Sequence, residues 1–448
     1  MTPSWWRQLE GKPWPVRFVV LPVVGFVVLQ LTFFALLVVG AAVPDGPIVR
    51  HLAADVESKM YGPTGLKDRM GGSSDSFTEC VVVGVGLGSD ETNPLAKAGK
   101  MPRISNCATG ADQIKRLAAG EDVENGFYFR YWSGFTPLTR PVLATSGITG
   151  IRLVSGALLA LTLVLAGSVL SRSVGVLASI GLLGPLVLST NLMSTPSSSF
   201  SQAISISAYL GGVALCAWGA RRSLTAGLVS CALAAAVFCF VDLLTTPSIG
   251  WALSAATVAG VTYVRTSSLR PTIVAVLAAG LVWPLAFAAT WVSRWLFAIP
   301  FAGWAAVVEE VKATVLFRTA GSYKGVRDEL WAATEKNWHY WTDHMGTAPF
   351  VMWSALVVGL VALVLCLRDG LEGILAFLVI ALPAACVPFW YEVLRNHSQI
   401  HAFFVYRCIP VGIGVGLFAA LVAARVAGAG EPAMEPRPST RLPSRRRS

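Results

Sequence analysis

Charge is what this chain has least of. Asp, Glu, Lys and Arg make up 13% of its 448 residues, against 54% hydrophobic. That balance excludes a soluble globular protein and points to the membrane class. No P-loop, GxGxxG, GxSxG or HExxH occurs, so Walker-type nucleotide hydrolysis and zinc proteolysis lose their sequence basis. No CxxC metal arrangement exists. No internal repeat is evident at a useful period, nor is the inverted-repeat signature of many transporters. The first apolar run, of about 26 residues, is too long for the h-region of a cleavable signal peptide. It reads as a retained helix, with Trp5, Trp6 and Trp14 at its interface.

What is present is apolar length. A spanning helix needs about 20 mostly apolar residues. Ten stretches meet that test: 18–43, 148–170, 174–194, 200–220, 223–244, 250–265, 272–293, 349–367, 372–390 and 403–424. The expected fold class is therefore an all-α polytopic membrane protein of about ten transmembrane helices with two large extracytoplasmic loops. Arg7, Lys12, Arg17, Arg172, Arg221, Arg222, Arg265, Arg270, Arg368, Arg425 and the tail arginines Arg445–Arg447 all fall on one side of an alternating ten-span order. The short connections 195–199 and 245–249 carry neither Lys nor Arg. The positive-inside rule then places both termini in the cytoplasm of a multi-pass cell-membrane protein. The net charge of +10 becomes a topology signal, and no nucleic acid is needed to explain it.

The resulting organisation is a cytoplasmic N-terminus (1–17), a first helix (18–43), a first extracytoplasmic loop (44–142), helices two to seven (143–293), a second loop (294–348), helices eight to ten (349–425) and a disordered basic tail (426–448). The first loop contains a strand-like run, Cys80–Leu87, and the second contains stretches expected as amphipathic helices lying on the outer leaflet. Cys80 and Cys107 are the only cysteines of the first loop, and an oxidising compartment would let them pair. The other six lie in spans or at their ends and read as small apolar residues.

Four clusters carry chemistry, all at the extracytoplasmic face. Asp75 and Glu79 are four apart behind a Gly/Ser turn, and on a helix they would share a face. Either could be a general base or a ligand of a divalent cation, Mg or Mn. Asp45, at the outer end of the first helix, competes with them as the catalytic carboxylate. Asp55 and Glu57 follow it. Tyr131 and Trp132 offer faces for sugar rings beside Arg130, whose planar donors suit phosphate. Asp242, Thr245 and Thr246 form a polar end to the fifth span, with Pro247 stopping it. Last comes Asn396-His397-Ser398-Gln399-Ile400-His401, followed by Tyr406-Arg407. Two imidazoles on one helix face and a guanidinium beyond them could grip a phosphate leaving group, or a metal. His339, Asp343 and His344 read as headgroup-facing.

In order, Asp-x-x-x-Glu-Cys, Tyr-x-Arg-Tyr-Trp-x-Gly with Arg-Pro, Asp-Leu-Leu-Thr-Thr-Pro and Asn-His-Ser-x-Ile-His resemble a group of bacterial polytopic proteins. That group is similar in layout to the GT-C class of membrane glycosyltransferases. This chain has Ser133 where the group has histidine, and Glu79 where it has aspartate. The resemblance implies a sugar donor on a polyprenyl phosphate and an acceptor that is an envelope glycan, a lipid or a protein. It implies that Asp75 or Glu79 activates the acceptor and that Arg130, His397, His401 and Arg407 hold the donor phosphate. Asp242, Thr245 and Thr246 would position the sugar or orient a cation, and Asn396 would join them in binding substrate. Two other classes remain open. One is a transporter or flippase of a lipid-linked sugar, and the other is an outer-leaflet acyl- or phosphotransferase.

Overall fold

Runs this apolar can satisfy their backbone polar groups in lipid only by coiling into helices. The computed structural model describes residues 20–61, 66–68, 70–105, 107–319, 323, 325–346, 348–367 and 370–429. The N-terminal stretch with Trp5, Trp6 and Trp14, Arg368 and the tail from 430 onward lie outside the described residues.

The first helix, α1 (Leu21–Ala41), buries Gln30, Phe33, Leu37 and Gly40 along one stripe. Its other faces expose Val23, Val27 and Leu31, as a lipid-facing helix does. A short helix, α2 (Asp45–Glu57), follows; it buries Ile48, Leu52 and Val56, one residue per turn. Next come α3 (Ser76–Gly84), α4 (Pro94–Lys100) and α5 (Gly110–Ala118). The strands β1 (Pro102–Ile104) and β2 (Asn125–Phe127) pair antiparallel, with Pro102 opposite Phe127. Cys80 and Cys107 are disulfide-bonded, with Cα atoms 5.5 Å apart. The expected strand at Cys80–Leu87 is corrected, because the run is helical to Gly84. A valine-rich stretch has no decisive period of its own. Here Asp75 caps it as a helix by accepting from the Thr78 N–H, and Cys80 to Gly84 are buried on every side.

The bundle proper begins with α6 (Thr136–Val174), which is broken at Gly147 (φ 59°, ψ −155°). The break leaves the Ile148 N–H without a helical partner, and Asp55 Oδ2 accepts it at 2.8 Å. A side chain at Gly147 would place Cβ 2.5 Å from that oxygen. Asp55 is thus a cap supplied from another helix. Asp55→Ala is expected to lower stability by about 1 kcal/mol, read as a fall in the melting temperature in detergent. An unchanged melting temperature would mean that water or lipid satisfies Ile148 equally well.

Then follow α7 (Val176–Leu188), α8 (Thr195–Ser198), α9 (Phe200–Arg222), α10 (Leu224–Val241), α11 (Pro247–Thr266) and α12 (Leu269–Ala302). From Pro247 to Tyr263, α11 is buried everywhere except at Trp251. Its small residues allow this; Gly260, for example, sits where a Cβ would meet the Phe418 ring at 2.4 Å. The α12 helix runs on to Ala302, past the expected boundary at 293, so Arg294 belongs to a helix and not to a loop. Its guanidinium donates to the carbonyls of Tyr131, Ala98 and Gly99, which makes that depth tolerable.

The second long connection holds α13 (Trp304–Thr319) and α14 (Ala332–His344). The chain closes with α15 (Ala348–Leu367), α16 (Leu371–Ala381), α17 (Cys386–Val393), α18 (Arg395–Ile400), α19 (Ala402–Val405) and α20 (Cys408–Ala429). Each expected span overlaps one or more of these helices. Among the described residues, seven helical segments are long and apolar enough to cross a bilayer. The number is eight if α7 and the segment Leu192–Ser198, bent by 64°, form one span. The chain is an all-α polytopic membrane protein. Its two long connections meet each other: Arg130 pairs with Glu310 at 3.2 Å, and Ser73 lies 3.3 Å from Tyr340.

Candidate functional site

The sharpest sequence cluster folds as two short helices, α18 and α19, joined at His401. Their histidine rings lie 4.7 Å apart. Both line a cavity of about 590 Å³ at the end of the bundle. Arg103, Tyr128 and Arg130 reach it from the first connection, and Arg318 from the last turn of α13. The segment containing Ser73, Ser74 and Phe77 forms another wall, and Thr245 reaches in from the turn after α10. Three guanidinium groups therefore face one space, and among the described residues no carboxylate lines it.

Each guanidinium is held. Arg103 and Arg130 lie over the Tyr128 ring at 4.6 and 4.7 Å. Arg318 donates to the Tyr131 hydroxyl at 2.7 Å and also contacts His397 Nδ1. That contact assigns the acceptor role to Nδ1 and the proton to Nε2. The imidazoles are neutral. Burial, then Arg318 and His401, hold His397 well below the ordinary histidine range. Burial and then Arg318 take His401 to about 3. Positive charge in this cavity thus comes from arginine, and the histidines offer neutral hydrogen bonds. Burial beside a permanent cation outweighs the basicity of each ring.

The two leading carboxylates sit behind the cavity wall. Asp75 and Glu79 are 2% and 1% exposed. Asp75 accepts from Thr78 N and from Gln202 Nε2, the latter at 2.7 Å. Gln202 in turn contacts Arg407, whose Nε donates to Asn191 Oδ1 at 2.9 Å. So Arg407 is wired to Asp75 through an amide and does not line the cavity. Glu79 accepts from the Phe200 N–H at 3.0 Å and faces Arg152 at 3.5 Å. Burial raises both carboxyls, and Glu79 reaches about 7 despite Arg152. The turn before them needs glycine: Gly71 has φ 102°, and a Cβ there would lie 2.6 Å from the His344 carbonyl.

A pH effect follows for Glu79. Between about pH 4.5 and pH 7 the folded chain keeps a proton that the unfolded chain has released. Its contribution to stability is full below that window and is lost as the pH rises through it. The melting temperature of Glu79→Gln minus that of the wild type should therefore climb from pH 5 to pH 8. A flat difference would mean that Glu79 is ionised throughout.

The other expected residues divide. Thr245 lines the cavity, and its N–H and hydroxyl bind the Asp242 carboxylate. Thr246 and Asn396 are buried and do not line it. Tyr131 does not line the cavity but braces its lining: its hydroxyl accepts from Arg318, and its ring packs against Tyr128 and under Arg130. Trp132 is fully buried among Phe33, Phe240 and Phe297, with its N–H donated to Thr290 O, so it is a core anchor and not a sugar platform. Asp45 is drawn away too: it pairs with Lys97 at 2.7 Å and with Arg140. Arg140 also donates to the carbonyls of Gly40, Val43 and Val85, tying α1 to α6. His339 and His344 stand outside the cavity.

Among the described residues, no group of three His, Cys, Asp or Glu is arranged to hold a metal ion. Sequence reasoning missed Arg103, Arg152 and Arg318. Arg318 ends the apolar-periodic run Trp304–Phe317, and that position was the one available signal. Compared with family models, curated proteins and solved structures, the chain matches no family, no curated protein and no known structure.

Proposed function

We propose that this chain is an integral membrane glycosyltransferase of GT-C-like layout. It would transfer a sugar from a polyprenyl-phosphate donor to a cell-envelope glycan, lipid or protein acceptor at the extracytoplasmic face. One observation carries the reading: Arg103, Arg130 and Arg318 converge on a cavity at the bundle end that, among the described residues, no carboxylate lines, with Glu310 pairing with Arg130 from outside it. Planar guanidinium donors suit a phosphate, and a preorganised positive site stabilises it most as charge develops on departure.

In this reading the lipid phosphate lies against the three arginines, with His397 and His401 as neutral hydrogen-bonding partners. An acceptor hydroxyl attacks the anomeric carbon, and the bond from that carbon to the phosphate oxygen breaks. The lipid phosphate leaves with the electron pair. The Asp75–Glu79 pair, which lies behind the cavity wall, takes up the hydroxyl proton through a bridging hydroxyl or water. A carboxyl poised near 7 accepts and returns a proton at neutral pH.

The test uses purified protein in nanodiscs with a panel of polyprenyl-phosphate sugars and a crude envelope acceptor fraction, with and without divalent metal and EDTA. Consumption of one donor, dependent on Arg318 and His397, is the expected result. Consumption of none, together with movement of the sugar lipid across a liposome bilayer, would replace the transferase by a flippase.

A further inference from the structure

A second and larger cavity, of about 890 Å³, lies on the other side of the same turn. Ser74 and Phe77 line both spaces, so one short segment, with Asp75 buried inside it, separates them. The two linings differ in character. The first is cationic. The second mixes Lys59, Lys67 and Arg152 with Asp68 and Asp112, and Glu79 stands behind Arg152. Its charges nearly cancel. The rest is divided between hydroxyl groups, among them Tyr61, Ser76 and Thr109, and apolar side chains, among them Val56, Met60 and Leu66.

We propose that this second cavity is the acceptor site and that it takes a neutral, polyhydroxylated ligand, the end of a glycan chain. The proposal rests on the transferase reading and specifies the acceptor class. A bisubstrate transfer needs both ligands held within bonding reach of each other, and two cavities sharing a wall meet that need. A near-neutral wall that offers hydroxyls and the fixed Asp68 carboxylate pairs with sugar hydroxyls, and the half-exposed Phe77 ring with its apolar neighbours offers a face for the sugar ring. Asp68 and Asp112 offset most of the charge of Lys59, Lys67 and Arg152, so a lipid phosphate meets less net positive charge here than in the first cavity, and the two substrates are sorted by charge.

The wall is also built. The Asp68 carboxylate is fixed by Ser194 Oγ at 2.7 Å and by Met70 N at 2.8 Å. The Cys80–Cys107 disulfide ties α3 to the turn before α5. Gly110 allows that approach, because a Cβ there would lie 2.7 Å from Cys80 Sγ. Arg152 reaches from this cavity to Glu79, which links the acceptor space to the proton-accepting pair.

The test measures binding to the full-length protein in nanodiscs with two probes. One is a panel of neutral soluble oligosaccharides, and the other is polyprenyl monophosphate. Two variants alter only this cavity: Ala111→Trp fills it, and Asp112→Ala removes an exposed acceptor, a change that the fold should tolerate. The expected result is saturable binding of at least one oligosaccharide, weakened about ten-fold or more in both variants, with polyprenyl phosphate affinity unchanged. No oligosaccharide binding by the wild type, or equal binding by folded variants, would overturn the acceptor site. In that case retained, Arg318-dependent polyprenyl phosphate binding would leave the donor reading standing. Oligosaccharide binding that the variants weaken, without polyprenyl phosphate binding, would support the sugar site and remove the lipid donor.

Discussion

Arg318→Ala is expected to lower donor consumption by about 100-fold or more, the scale seen when one preorganised charge-stabilising donor is lost. Arg318 is the arginine with most at stake. It binds the Tyr131 hydroxyl, contacts His397 and is the shared cation that depresses both histidines. Its removal takes charge from the phosphate and relaxes the repulsion on the rings. The variant should therefore bind polyprenyl phosphate more weakly, and its residual activity should gain a dependence on acid pH as His401 rises from about 3. Arg318→Lys keeps the charge without the planar fork, so its activity should fall between wild type and alanine. Donor consumption and polyprenyl phosphate affinity measure both effects. Wild-type values in Arg318→Ala would show that the cavity is not the phosphate site.

The second large effect belongs to the buried carboxyl pair. Asp75→Asn and Glu79→Gln should each reduce transfer by about 100-fold or more, within the range for a lost general acid–base group. Membrane expression should survive, because an amide keeps the shape of each side chain and an oxygen for the Thr78 or Phe200 N–H. The two should differ in pH behaviour. Wild-type activity should rise with pH through about 7 as Glu79 loses its proton, and Glu79→Gln should flatten that rise. Full activity in both amides would end the proton-accepting role and leave the pair as a brace between α3 and α9.

Much of this architecture was legible in the residues. Apolar length located the helices, and the expected start of the second span at 148 coincides with the break at Gly147. Cys80 and Cys107 could be matched because no other cysteine shares their connection. The clusters around Asp75, Arg130, Thr245 and His397 were correctly gathered at one end, since span parity decides which connections share a side. The valine-rich run at Cys80 was misread, because a short apolar stretch suits strand and helix alike until a cap and its neighbours decide.

By itself, then, the sequence determined a helical membrane protein, the placement of its helices and the end at which its polar groups collect. Local composition and periodicity encode these, because each helix must face lipid or core along its own length. Only the tertiary structure decided which polar groups meet. It brought Arg103 and Arg318 to His397, gave Asp45 to Lys97 and Arg140, and buried Trp132 among phenylalanines. It also made the histidines neutral, since desolvation and a neighbouring guanidinium act through space and leave no mark on residue spacing.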